Sequence, residues 1–340
     1  MGHRSAIATA AVGEDAPLRR LAGLARAAAE SLAPADALSI RGISHSENTI
    51  YLLTDEARGR RLVLRVHRPG YHSRAAIRAE LAWMRALRED AGVRTPAALP
   101  WADGDLVNHV ASAAVPEGRC CVLFEFLNGE APAEDDLMAS FPDLGALTAR
   151  MHRHSRAWRP PVGFERFSWT LETTVGETPH WGPWQDGPNL DDARRALLRR
   201  LVATIRARLE RFGVERDRFG LVHADLRLAN LLIHDGETRV IDFDDSGFTW
   251  YLYDLATALS FIEDRPDVPA LIAAWLEGYR RMAPLSPEEE AEIPTFLMLR
   301  RMVVLAWMGS HRETDLAKSL GDAYTDGTAA LAESYLTRFG

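Results

Sequence analysis

Between residues 221 and 233 an apolar run breaks into the polar string His223-Ala-Asp225-Leu-Arg227-Leu-Ala-Asn230 and then turns apolar again. Asn230 follows Asp225 by five residues, and twelve residues beyond it a second apolar run, Val240-Ile241, ends in Asp242. Asp235-Gly236 between the runs is a tight-turn signal, so residues 230–233 and 239–243 are expected to pair as a hairpin. Such a hairpin sets an amide oxygen and a carboxylate at one rim. Mg²⁺ is a hard cation that takes one or two oxygen ligands from protein and the rest from phosphates and water, which makes Asn230 and Asp242 candidate metal ligands. Asp225 is placed to accept the proton of an attacking hydroxyl. A lone His-x-Asp reads as a solvated turn; the full string at this spacing does not.

The pattern H-x-D-x-x-x-x-N followed by I-D-F is similar to the catalytic and metal-binding segments of the kinase fold. No glycine follows Asp242-Phe243, and Tyr253-Asp-Leu-Ala256 lies downstream. In both respects the chain resembles the aminoglycoside phosphotransferase/choline kinase family, small-molecule kinases that include kinase-type homoserine kinases, rather than protein kinases. The resemblance implies an α+β, two-lobed protein-kinase-like fold. A small antiparallel β-sheet lobe with one main helix would occupy residues 1–127, and a larger, mostly helical lobe residues 128–340. It also implies ATP (GTP remains open) and Mg²⁺ as cofactors, with the nucleotide held between the lobes.

The elements that must position these groups follow in order. Residues 15–32 carry leucines and alanines at helical spacing, closed by Pro34. Three short strands are expected over 37–43, 49–54 and 61–66. The turn between the first two, which the kinase fold places over the nucleotide phosphates, is poor in glycine, so Ser44, Ser46 or Asn48 would have to assist the backbone. On the third strand Arg65 stands where the family has a phosphate-contacting lysine. Glu80, on a helix over 75–88, matches the glutamate that pairs with that cation. A guanidinium grips phosphate oxygens well, although a surface ion pair of little value is the bland alternative. His67, Arg68 and His72 nearby are expected to be solvated. Strands over 107–112 and 119–126 lead to the hinge, where the resemblance gives the backbone of Glu125, Phe126 and Leu127 to the adenine.

A helix is expected over 137–155; its His152 and His154, two apart, do not share a face, which argues against a metal pair. Residues 164–188, rich in tryptophan and without periodicity, form either a lid or a loop pinned by aromatic burial. A helix over 191–212 precedes the catalytic string. Arg227 lies where protein kinases often carry a lysine reaching the transferred phosphate, so it is a candidate for stabilising transition-state charge; the alternative is an arginine bound to a neighbouring carboxylate. His223 is expected to hold the loop and Asp254 to brace it, while Asp244 reads as a solvated acid, with assistance to the metal or substrate as its alternative. Four helices close the chain, over 253–262, 268–282, 288–307 and 314–339. Trp250, Tyr251, Trp307 and His311 are candidate pocket walls, and the acidic runs 134–136 and 288–290 could attract a cationic acceptor or simply sit at helix N-termini.

Composition sets the remaining bounds. A net charge of −8 argues against a nucleic-acid footprint. Lys318 is the only lysine, so the arginine excess reads as a compositional bias rather than a binding patch. Adjacent Cys120 and Cys121 offer neither a disulfide framework nor metal spacing, in keeping with a reducing cytoplasm. No apolar run is long enough for a membrane span, and residues 6–12 are too short and mild for a signal peptide. The expected activity is transfer of the ATP γ-phosphate to a hydroxyl of a small metabolite or antibiotic by a monomer or homodimer. The alternative is a nucleotide-binding pseudokinase acting as a regulatory module, favoured by Arg65 and the glycine-poor turn. A protein kinase is the weakest of the three readings.

Overall fold

The computed structural model describes residues 16–32, 38–45, 47–133 and 137–340. Its fold is α+β, and the chain divides into two compact units. The first comprises Met1–Arg85, Thr95–Asn128 and Val162–Glu165; the second comprises Ala86–Arg94, Gly129–Pro161 and Arg166–Gly340.

The first unit opens with α1 (Ala16–Glu30), then β1 (Ser39–His45), β2 (Thr49–Asp55) and β3 (Arg60–Val66). Helix α2 (Arg74–Ala91) follows and runs on into the second unit. After it come β4 (Ala98–Leu99), β5 (Asn108–Ser112) and β6 (Val115–Glu125). The sheet is antiparallel in the order β1-β2-β3-β6-β4, with β5 also on β6. Leu62 and Leu64 of β3 join Tyr51, Leu53, Cys121 and Leu123 on a face covered by Leu24, Ala25 and Ala28 of α1. The period-two alternation of the strands meets the i, i+4 stripe of the helix, which gives this unit its own apolar core.

The second unit holds α3 (Leu137–Ala157), β7 (Phe167–Ser168), α4 (Leu171–Thr174), α5 (Asp192–Phe212), β8 (Phe219–Val222), β9 (Leu231–His234), β10 (Glu237–Val240) and β11 (Gly247–Trp250). It ends in α6 (Tyr253–Ala258), α7 (Val268–Arg280), α8 (Pro287–Ala291), α9 (Ile293–Ser310) and α10 (Asp315–Phe339). The expected third C-terminal helix is two, α8 and α9, because Pro294 starts a new helix after Glu292. Helices α3 and α7 cross with glycine on each: a Cβ on Gly145 would collide with the backbone of Trp275, and one on Gly278 with the backbone of Pro142. Helix α9 is buried almost all round, from Ile293 to Met308.

The tryptophan-rich segment is not structureless. Ser168 and Phe167 of β7 pair in parallel with Phe248 and Gly247 of β11, Thr170 caps α4, and Trp169, Trp181 and Trp184 are buried. Aromatic burial pins it, as one of its two sequence readings holds.

Candidate active site

The hairpin forms as read. Asp235 and Gly236 both take positive φ, 50° and 74°, the pairing that a two-residue turn of this hand requires. Strand β9 pairs with β10 from His234↔Glu237 to Leu231↔Val240. The regular pairing stops at Val240, short of Phe243, yet Ile241 N still donates to Asn230 O at 2.9 Å. Asp242 therefore leaves the hairpin directly beside Asn230. Its φ of +60° lies in the left-handed region, unusual for a non-glycine residue, and its side chain is exposed.

Around Asp225 the contacts are dense. Its carboxylate is buried, and Oδ1 accepts Arg300 Nη2 at 2.6 Å. Oδ2 accepts Arg227 Nε at 3.0 Å and Asn230 Nδ2 at 2.9 Å. Asn230 Nδ2 also donates to Asp225 O at 2.9 Å, which fixes the amide with its nitrogen toward Asp225 and its oxygen on the opposite side. Burial pushes the Asp225 carboxyl up, but the charges of Arg227 and Arg300 outweigh it and hold the group at about 2. Arg227 thus sits on the neighbouring carboxylate, the arrangement the sequence reading keeps as its structural alternative.

The loop that carries Asp225 is held from behind. Asp254 Oδ1 accepts the amide of Ala224 at 2.8 Å, and Oδ2 accepts the amide of His223 at 3.3 Å and His152 Nε2 at 3.0 Å. Asp254 braces the loop, as expected of it. His223 Nε2 donates to Ile241 O at 3.0 Å, while its Nδ1 accepts the Asp225 amide at 3.3 Å. That pattern requires the neutral imidazole, and burial pushes its pKa down accordingly. His223 ties the catalytic loop to the strand before Asp242, a holding role. Ala224 accepts φ +64° within this frame.

Beyond Asp242 the chain is clamped by the tryptophan-rich segment. Arg166 Nε donates to Ser246 O at 2.6 Å, and its Nη2 donates to Phe243 O at 3.3 Å and to Asp244 O. Trp169 Nε1 donates to Asp245 O at 2.9 Å. Asp244 and Asp245 are both buried, so the reading of Asp244 as a solvated acid is wrong: a turn fixed by four donated hydrogen bonds carries its side chains inward.

In the first unit Arg65 Nη2 meets Glu80 Oε2 at 2.7 Å with both side chains buried, and Arg65 Nε donates to His67 Nε2 at 3.3 Å. The pair is internal, not a surface ion pair, and His67 is buried rather than solvated. Arg68 lies 3.4 Å from the Tyr71 ring centroid and pairs with Glu47 at 3.4 Å. Strand β6 ends at Glu125, whose amide donates to Ala97 O at 2.9 Å; Phe126 beyond it is covered by Arg61 at 4.1 Å, and Arg61 also holds the Asn128 side chain at 2.7 Å. Leu127 is half-buried. Ser46 lies outside the described residues, as does the acidic run 134–136.

Of the candidate pocket walls, Trp250 and Tyr251 lie in the core. Trp250 is core: it packs edge-on against Phe219 at 5.4 Å and donates Nε1 to Gly213 O at 2.7 Å. Tyr251 is buried beside His152, with ring centroids 4.9 Å apart. Trp307 stacks on His311 at 5.2 Å at the end of α9. Among the described residues no cluster of three or more His, Cys, Asp or Glu side chains forms a cation cage. Asn230 and the exposed Asp242, brought near each other by the Ile241 N–Asn230 O bond, are donors of the kind that suit Mg²⁺, which keeps most of its shell for phosphate and water. Sequence reasoning missed Arg300. The available signal was the Arg300-Arg301 pair inside the otherwise continuous apolar run of α9, since arginine is almost never fully buried unless paired.

The fold is that of the kinase-like phosphotransferases. The model of the phosphotransferase enzyme family matches residues 39–285, and the chain belongs to that family. It is an ATP-dependent phosphotransferase with an alcohol group as acceptor. The structure of a microcompartment-associated aminopropanol kinase superposes with a TM-score of 0.85 at 40% identity, over 96% of this chain and 99% of that one. The amicoumacin kinase of Bacillus subtilis (strain 168) is 26% identical over 292 residues, 82% of this chain and 81% of its own length. An amicoumacin kinase solved in complex with AMP-PNP, Ca²⁺ and Ami shares the fold, with a TM-score of 0.69 at 23% identity over 94% of this chain and 93% of that one. Among the described residues no helix is long and apolar enough to cross a membrane.

Proposed function

We propose that this enzyme transfers the γ-phosphate of ATP to the hydroxyl of a small amino alcohol. The observation that carries the reading is the similarity to the aminopropanol kinase, 40% identity across 96% of the chain. Nothing in the comparisons favours a regulatory pseudokinase.

In this reading Asp225 orients the acceptor hydroxyl and takes its proton. A carboxylate held near 2 is a weak base at neutral pH, so its contribution is mainly alignment, with the proton arriving late. Asn230 and Asp242 would hold Mg²⁺, which supplies charge neutralisation at the phosphates. Arg65, fixed by Glu80, grips phosphate oxygens in place of the family lysine. Arg227 moves from Asp225 Oδ2 toward the transferred group when the hydroxyl takes its place. The backbone of residues 125–127 receives the adenine. The test is transfer of labelled γ-phosphate from ATP with Mg²⁺ to 1-amino-2-propanol, to amicoumacin and to homoserine, in the wild type and in Asp225→Ala. Label on the amino alcohol that disappears in the variant supports the reading. Label on the antibiotic alone replaces the acceptor class, and equal transfer by the variant removes Asp225 from its role.

A further inference from the structure

Arginine is expensive to bury, and α9 buries two in succession. Their surroundings differ. Arg301 is consumed by structure: Nη1 meets Glu263 at 2.9 Å, Nε donates to Thr328 Oγ1 at 3.0 Å and Nη2 to Tyr324 O at 3.0 Å. Arg300 instead reaches across 75 residues of sequence to the candidate base, with Nη2 on Asp225 Oδ1 at 2.6 Å. Its Nε donates to Ser260 Oγ at 2.9 Å, and its guanidinium lies 5.5 Å from the Trp181 ring centroid and 6.0 Å from that of Tyr253. Anchored at Ser260 and walled by two aromatic rings, it is a rigid post rather than a mobile counter-ion.

The two arginines on Asp225 are therefore not equivalent. Arg300 is 3% exposed and holds Oδ1; Arg227 is 30% exposed and touches Oδ2 through Nε. Of the two oxygens, Oδ2 carries the more exposed partner, so it is the side on which a hydroxyl would displace an arginine. Two bonds, one from Arg300 on Oδ1 and one from Asn230 Nδ2 on Oδ2, fix the plane of the carboxylate before any acceptor arrives.

We propose that Arg300 is a positioning residue of the transfer reaction, clamping Asp225 Oδ1 so that Oδ2 alone is presented to the acceptor hydroxyl. The inference rests on the reading of Asp225 as the base. Since misplacing a catalytic group by about 1 Å can cost on the order of 100-fold, Arg300→Ala should lower kcat by roughly that factor. ATP affinity, measured by calorimetry with the magnesium complex, should stay within about twofold, since ATP contacts lie elsewhere in this reading.

The deciding experiment is a double-mutant cycle with Asp225→Ala, together with rescue. If Arg300 acts through Asp225, Arg300→Ala/Asp225→Ala is no slower than Asp225→Ala alone. Methylguanidinium added to Arg300→Ala should restore part of kcat, and should restore none in Asp225→Ala. Arg300→Lys should fall between wild type and Arg300→Ala. Full activity in Arg300→Ala overturns the proposal, and so do additive losses in the cycle or a fall in ATP affinity parallel to that in kcat. Should Arg300→Ala not fold, Ser260→Ala removes one anchor of the same side chain. A severalfold loss of kcat at constant ATP affinity then supports the clamp, and unchanged kcat overturns it. Asp225→Ala at wild-type rate is a separate result: it removes the base assignment itself.

Discussion

The Asp254 carboxylate and the His152 imidazole meet at 3.0 Å with both side chains fully buried, and the other face of the same carboxylate holds the Ala224 amide at 2.8 Å. A histidine on α3 thereby supports a loop that begins more than 70 residues later in the chain. Asp254→Asn keeps one acceptor oxygen but turns an NH₂ group toward a donor. A buried donor left unmet costs about 1–3 kcal/mol, so urea unfolding should show a loss of that size, and kcat should fall as the Ala224 turn relaxes. Wild-type stability in the variant would remove Asp254 as the brace.

His152 also makes a pH prediction. Burial is the main cause that pushes its pKa below the ordinary 6.5, and the Asp254 contact opposes it only in part. The unfolded chain therefore takes up a proton that the folded chain refuses. Stability contributed by the neutral ring is complete above about 6.5 and declines as pH falls below it, by at most about 1.4 kcal/mol per pH unit for each such group. His223, likewise lowered by burial, adds in the same direction. Chemical unfolding between pH 7.5 and 5 should show this slope, and His152→Gln should flatten it by one group's share. An unchanged slope would mean that His152 is charged in the fold.

The Arg65–Glu80 pair predicts strong coupling. Removing one partner of a buried pair strands the other, at a cost of about 3–5 kcal/mol. Arg65→Ala and Glu80→Ala should each lose on that order, and the double variant should lose much less than their sum. Arg65→Lys keeps the charge and gives up the His67 contact, so its loss should stay below about 1.5 kcal/mol. Additive losses in urea unfolding would mark the pair as energetically idle.

Arg166 should control metal response. It fixes the carbonyls of residues 243, 244 and 246 just beyond Asp242. Groups that orient a ligand from behind typically change metal affinity by about 10–100-fold. Arg166→Ala should raise the Mg²⁺ concentration for half-maximal transfer by at least about tenfold, with the saturating rate less affected. An unaltered Mg²⁺ requirement would separate the clamp from the candidate ligands.

Much of this machinery is local and therefore readable. The Asp235-Gly236 turn, the register of β9 with β10 and the nearness of Asn230 and Asp242 follow from residue types within one hairpin. Helix and strand periods place most elements to within a few residues. Arg300, the burial of Asp244 and the Arg166 clamp are of another kind. Arg300 and Asp225 are 75 residues apart, Arg166 and Asp244 78. No local period encodes such a meeting; it arises when α9 and the tryptophan-rich segment close on the loop. His67 is a different case: it lies only two residues from Arg65, and the adjoining Arg68-Pro69-Gly70 turn reads as solvated although the His67 ring nitrogen meets Arg65 Nε at 3.3 Å.

The glycine-to-backbone crossing of α3 and α7 has an evolutionary and engineering meaning. One helix carries His152 and the other Tyr279, whose hydroxyl lies 3.1 Å from His152 Nδ1. Main chain rests on main chain there, so no rotamer change can absorb even one added methyl group. Variation that retunes the acceptor has room along exposed faces, whereas this contact is a fixed chassis point: alanine at Gly145 or Gly278 would part the helices and pass the displacement through His152 and Asp254 to the turn at Ala224. A library built to change substrate should hold those two glycines constant.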